Sequence, residues 1–282
     1  MNILNSIFTS RPKIDARKYP HFFKEMYNSP VAIADNELQL IEDNLVNAAF
    51  SGQTNIEDIC CSCPTPYTVG VIGVIPVKGV ILSSCSPEEI ELDCIGCDLI
   101  REWVDEGLND TSIKGIIYDV DSPGGSIAVQ PLADYIQANR SIKPQIVYCS
   151  RQIASAAYWL FASLPIVLTP SSQAGSIDAL LTLNDTSKAF EEMGVTVYQF
   201  KSSPFKGQGN DGVPLTKDFR EEMLRRAILI GSRFRNFVLQ NRQITDIETA
   251  FNGLTHFDQE AVKLGLADSL VSNIDELVST FT

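Results

Sequence analysis

Short runs rich in Val and Ile recur along this chain, at a spacing that leaves room for a helix between them. Residues 67–81 (YTVGVIGVIPVKGVI), 113–121 (IKGIIYDVD), 145–150 (QIVYCS), 165–170 (PIVLTP) and 195–200 (VTVYQF) are nearly continuous in apolar character rather than alternating. Strands of that texture are buried on both faces, which predicts a mostly parallel sheet covered by helices, an α/β fold. The longest helical pattern opens at Thr216, a suitable N-cap, and places Phe219, Met223, Ala227, Ile230, Phe234 and Phe237 on one stripe. Residues 1–65 differ in texture. They read as an N-terminal lead-in with one amphipathic helix, on which Leu38, Ile41 and Leu45 share a face, closed by the stretch CCSCPTP. The expected division is therefore a lead-in over 1–65 and an α/β domain over 66–282.

Composition narrows the class of partner. A formal charge of −13 over 282 residues disfavours nucleic acid and anionic membrane surfaces, since both reward clustered Lys and Arg. No apolar run approaches the ~18 residues of a membrane-spanning helix, and the N-terminus lacks a secretory pattern, so a cytoplasmic protein is expected. Seven cysteines, an odd number, argue against a disulfide framework. The groups Cys60, Cys61, Cys63 and Cys94, Cys97 could offer four thiolates to zinc. The C-C-x-C spacing, the unassigned Cys85 and an intervening strand pattern favour buried thiols instead. No metal and no organic cofactor is expected.

The candidate chemistry lies in two stretches. Residues 119–126 (DVDSPGGS) follow a strand pattern and precede a helical one. Gly124 and Gly125 would let the backbone approach a ligand there, and a turn with no ligand explains them equally well. Residues 152–159 (QIASAAYW) place Ser155 at the start of a helical pattern among alanines. Those alanines could simply allow close packing against the sheet. The chain has two histidines, His21 and His256, both better read as satisfied polar residues, so a Ser-His-Asp triad has little support. The G-x-S-x-G signature is missing around Ser155. Residues 207–212 satisfy G-x-G-x-x-G, but six residues separate them from the preceding strand pattern and Val213-Pro214 from the helix, which indicates a loop rather than a dinucleotide site.

The ordered set VDSPGG (120–125), ASAAYW (154–159), AGSIDAL (174–180), KSSPFK (201–206) and AVKLGLADSL (261–270) resembles the signal peptide peptidase A family of serine peptidases, from about Val69 to Val271. The chain is most similar to the family's phage branch, the capsid-assembly or prohead proteases. The resemblance implies a Clp/crotonase-like fold and a Ser/Lys dyad with Ser155 as nucleophile and Lys206 as general base, Lys201 being the competing lysine. It further implies Gly124 and Gly125 as oxyanion donors, and Gly175 and Ser176 as residues beside the active site. Asp178 stands where the family carries a small residue. A lysine that acts as base must be shifted from its ordinary pKa of about 10.4 by apolar surroundings; Pro204 and Phe205 are the candidates beside Lys206. The implied function is endopeptidase cleavage of phage scaffold or capsid proteins, by a homo-oligomer whose subunits build the groove together, in the host cytoplasm or the procapsid. A host-type peptidase that degrades signal peptides and a catalytically silent procapsid component are the alternatives.

Overall fold

The computed structural model describes residues 31–33 and 64–281. His21, the helix expected around Leu38, Ile41 and Leu45, and Cys60, Cys61 and Cys63 lie outside the described residues. In chain order the first half comprises β1 (Val31–Ile33), β2 (Tyr67–Val69), β3 (Ile72–Lys78), β4 (Val80–Leu82), α1 (Pro87–Glu91), β5 (Cys94–Gly96), α2 (Cys97–Asn109), β6 (Gly115–Ser122), β7 (Gly124–Ser126), a 3-10 turn (Ile127–Val129) and α3 (Gln130–Asn139). The second half follows with β8 (Gln145–Ala154), α4 (Ala156–Phe161), β9 (Ile166–Leu168), β10 (Gln173–Gly175), α5 (Ser187–Glu192), α6 (Lys217–Asn241), α7 (Ile247–Ala250), β11 (Thr255–Phe257), α8 (Asp258–Leu264), β12 (Ser269–Leu270) and α9 (Ile274–Ser279).

Eight strands form the main sheet. Its backbone runs β11-β10-β8-β6-β3-β2, with β9 joined to β8 and β12 to β9. The pairs β3–β6, β6–β8, β8–β10, β8–β9 and β9–β12 are parallel, and only the end pairs β2–β3 and β10–β11 are antiparallel. This is the mostly parallel α/β sheet that the continuous Val/Ile runs predict. Six of the seven residues of β3 are buried, as a strand covered on both faces requires. A smaller sheet, ordered β1-β7-β4-β5, lies beside it.

Helices cover the sheet through stripes readable in the sequence. In α2, Cys97, Ile100, Val104 and Leu108 are buried at spacings of three and four. Thr216 caps α6, its hydroxyl accepting from the Phe219 amide at 3.3 Å. Of the six stripe residues expected on α6, Phe219, Phe234 and Phe237 are buried and Met223, Ala227 and Ile230 half-buried. Trp159 of α4 stacks on Phe234 with centroids 4.9 Å apart, and Tyr118 of β6 meets Phe161 at 4.7 Å, so the helix that follows Ser155 is wedged between the sheet and α6.

One strand expectation fails. Residues 195–200 (VTVYQF) form no strand; they have no sheet partner among the described residues, and Tyr198 and Phe200 are 78% and 98% exposed. Apolar, β-branched composition favours a strand only where an edge is available to pair with, and β11 already covers the outer edge of β10.

Cys94 and Cys149 are buried, and burial pushes both thiols far above their ordinary range. Among the described residues no cluster of three or more His, Cys, Asp or Glu could hold a metal. Because the thiolate is the reactive form, alkylation of the native protein followed by peptide mapping should modify the half-buried Cys85 and spare Cys149. Modification of Cys149 at the rate of Cys85 would contradict its place in the core.

A candidate serine-nucleophile site

Three neighbouring parallel strands carry the sequence-predicted residues to one end of the sheet. Ser122, at the end of β6, is in register with Ile153 near the end of β8, and Ala154 is in register with Gly175 at the end of β10. The turn containing Gly124 and Gly125, the nucleophile candidate Ser155 and the pair Gly175-Ser176 therefore leave the carboxyl ends of adjacent strands, where ligands bind in open α/β sheets. Between Val120 and Ser122 the β6–β8 pairing jumps register, Cys149 opposing Val120 but Ile153 opposing Ser122.

Ser155 sits at a strand-to-helix junction with φ 53° and ψ −119°, a backbone region that L-residues rarely occupy. Its own amide donates to the Gly175 carbonyl at 2.8 Å, and its carbonyl accepts from Trp159 at 2.9 Å. The residue is buried, and its hydroxyl has no hydrogen-bond partner among the described residues. A cleft lined by Ser155, Ser176, Asp178, Ala179, Leu180, Asn252 and Gly253 opens beside it. Of four described non-glycine residues with positive φ, two are Ser155 and Ser176. Such strain costs about 1–3 kcal/mol per residue and concentrates at functional sites. The small residues on either side of Ser155 thus permit a sharp elbow that the G-x-S-x-G search could not find.

The glycines are required by geometry. A Cβ on Gly125, at φ 151°, would lie 2.1 Å from the Ile81 carbonyl oxygen, and Gly124 has φ 102°. The Gly124 amide donates to the buried Ser122 hydroxyl at 3.2 Å. These two residues, expected in a strand-to-helix turn, instead form the short strand β7, followed by the 3-10 turn. Gly175, at φ 126°, leaves its carbonyl to hold the Ser155 amide, and the Ser176 amide donates to Leu254 at 2.8 Å.

Lys206 lies apart from this cluster. It is exposed, in a run of turns over 202–212, as are Pro204 and the 45%-exposed Phe205. Among the described residues its ammonium has no hydrogen-bond or ion-pair partner. Among the described residues, the apolar surroundings expected of Pro204 and Phe205 are thus not supplied to Lys206. Phe205 packs against Phe219 at the start of α6, ring centroids 6.1 Å apart, whereas Asp178 of the Ser155 cleft pairs with Arg235. Sixteen helical residues separate those two anchor points, about 24 Å along the axis. Lys201 is exposed too. Asp178 is held by Arg235 rather than by either lysine. His256 is buried, with Nε2 3.1 Å from the Thr249 carbonyl, a satisfied core residue. Residues 207–212 are turns in which Gly207, Gly209 and Gly212 all have positive φ.

The sequence pattern that defines Peptidase family S49 matches residues 137–281, just over half of the chain. The chain belongs to Peptidase family S49. The S49 match includes Ser155, Gly175, Ser176 and Lys206, whereas Gly124 and Gly125 precede it. Among curated relatives, the capsid assembly protease C of Escherichia phage lambda is 29% identical over 213 residues, covering 73% of this chain and 48% of that protein. The head-tail preconnector protein GP5 of Enterobacteria phage P21 is 26% identical over 212 residues, covering 74% and 42% respectively. This S49 chain spans about half the length of the curated relatives it matches. Among solved structures, a ClpP1 mutant from Listeria monocytogenes aligns with a TM-score of 0.43 at 12% identity, covering 72% of this chain and 94% of that one. None of the described helices is long and apolar enough to cross a membrane.

Proposed function

We propose that this S49 chain is a serine endopeptidase that cleaves scaffold or capsid proteins during phage head maturation, in the host cytoplasm or inside the procapsid. The observation that carries the reading is Ser155 itself, a buried hydroxyl with no partner among the described residues, on a strained elbow that lines a cleft. In this reading Ser155 Oγ attacks the scissile carbonyl while Lys206 Nζ accepts its proton. The amide groups of Gly124 and Gly125 stabilise the oxyanion, and Gly124 exchanges its bond to Ser122 for one to the substrate. The protonated Lys206 then delivers its proton to the leaving amine, and water hydrolyses the acyl-enzyme with the same lysine as base. The phage setting is suggested by the lambda and P21 relatives.

The exposure of Lys206 favours a homo-oligomer in which one copy supplies the lysine to the Ser155 of the next. Val195, Val197, Tyr198 and Phe200 beside the lysine segment, and Leu224 and Ile228 on α6, are exposed apolar residues suited to such a contact. Burial there would also give Lys206 the dry surroundings that a base requires. The test is complementation. Ser155→Ala and Lys206→Ala chains, each inactive on casein alone, should regain a fraction of wild-type activity when unfolded together and refolded. Full activity of Lys206→Ala alone would remove the lysine from the mechanism. A mixture that stays silent would assign both residues to one subunit, and a wild type that never cleaves would favour a structural procapsid component.

A further inference from the structure

The strand β1 is remote in sequence from the rest of the described chain, yet it lies on the most sensitive edge of the proposed site. It pairs antiparallel with β7, with Val31 opposite Ser126, Ala32 opposite Gly125 and Ile33 opposite Gly124. On its other side β7 is already paired to β4 through Ile81 and Gly125. The order β1-β7-β4-β5 makes β1 the outermost strand, so its removal would expose the β7 edge that carries both glycines. The segment also contacts α4, the helix that begins immediately after Ser155.

We infer that β1 is an intramolecular occupant of the peptide groove, which holds the enzyme in a self-inhibited state until the strand is displaced. The inference rests on the peptidase reading of Ser155. A substrate whose carbonyl reaches the Gly124 and Gly125 amides approaches β7 as an extended peptide, and strand addition to an open edge is the way such a backbone is held. One strand edge accepts one partner. Substrate and β1 therefore exclude each other, and because β1 belongs to the same chain it competes at a fixed effective concentration that dilution does not reduce. Three residues make a short pairing, which suits an occupant that must leave.

The test uses the full chain and two readouts, fluorophosphonate labelling of Ser155 and hydrogen exchange of the amides at 124–126. Ala32→Pro removes an amide from the pairing strand. The variant should label about ten-fold faster than wild type and lower KM for a reporter peptide with kcat unchanged, since the competent fraction rises. Exchange at 124–126 should accelerate in parallel. If exchange accelerates but labelling and KM do not move, β1 is a structural strand and the inference fails. If exchange does not change, β1 is not seated there in solution and the inference also fails.

Should Ala32→Pro lose its native near-ultraviolet circular dichroism, the wild-type chain decides the matter. A peptidyl phosphonate bound to Ser155 must speed exchange at Val31, Ala32 and Ile33, and unchanged protection there would overturn the proposal. A Ser155-dependent cut within 31–33 would support the same placement. Absence of labelling in every form would instead remove the peptidase reading, a result separable from equal labelling with and without the strand.

Discussion

On the proposed mechanism, replacing Ser155 with alanine should lower hydrolysis of a casein-type substrate by about 10⁴-fold or more, the usual cost of deleting a nucleophile whose partners act only through it. The chain should remain folded. The hydroxyl has no hydrogen-bond partner among the described residues, so its loss orphans no buried group. Alanine meets the same backbone cost at φ 53° that serine meets. Ser155→Gly is the informative companion, because glycine occupies that region freely: it should be equally inactive yet more stable by about 1 kcal/mol. Chemical denaturation and an activity assay on the three proteins separate the two effects. Wild-type cleavage by Ser155→Ala, or fluorophosphonate labelling of a different serine, would remove Ser155 from the mechanism.

The second large effect is on stability. Trp159 is 1% exposed and stacks on Phe234, with ring planes 5° apart, so it ties the short helix carrying the elbow to the long α6. Trp159→Ala should cost about 3–5 kcal/mol in an unfolding titration. Its indole Nε1 has no partner among the described residues, so the loss is one of packing rather than hydrogen bonding. Trp159→Phe keeps a ring against Phe234 and should recover part of the difference. A change below about 1 kcal/mol for the alanine variant would mean that α4 is held chiefly by other contacts, such as the Tyr158 hydroxyl donating to the Leu266 carbonyl at 2.8 Å.

Much of the fold is legible because burial writes itself into composition. The continuous apolar runs that become β3, β6, β8 and β9 announce parallel strands, and Thr216 with its following stripe announces α6. VTVYQF carries the same signal without becoming a strand, since composition reports a side chain's preference for a sheet but not whether a sheet edge is free. For the candidate site, the sequence names residues but not their arrangement. Ser155, Gly124, Gly125, Gly175 and Ser176 emerge at neighbouring strand ends, whereas the exposure of Lys206 depends on what packs over residues 195–212, which no local pattern encodes. Val31–Ile33 gave no comparable signal; three apolar residues after Pro30 are too few for periodicity to register, and their pairing with β7 is wholly long-range.

The register jump between β6 and β8 bears on how this chain can vary. Between Cys149 and Ile153, β8 spends three residues, Ser150, Arg151 and Gln152, where β6 spends only Asp121. Side chains in a strand alternate faces with a period of two. Losing or gaining a single residue in that stretch would turn Ser155 away from the glycines and onto the opposite face of the sheet. Substitution there alters side-chain contacts such as the Arg151–Asp121 ion pair at 2.9 Å but leaves the count intact. The segment is thus constrained by its count more than by its chemistry, and its length should prove less tolerant of change than its sequence.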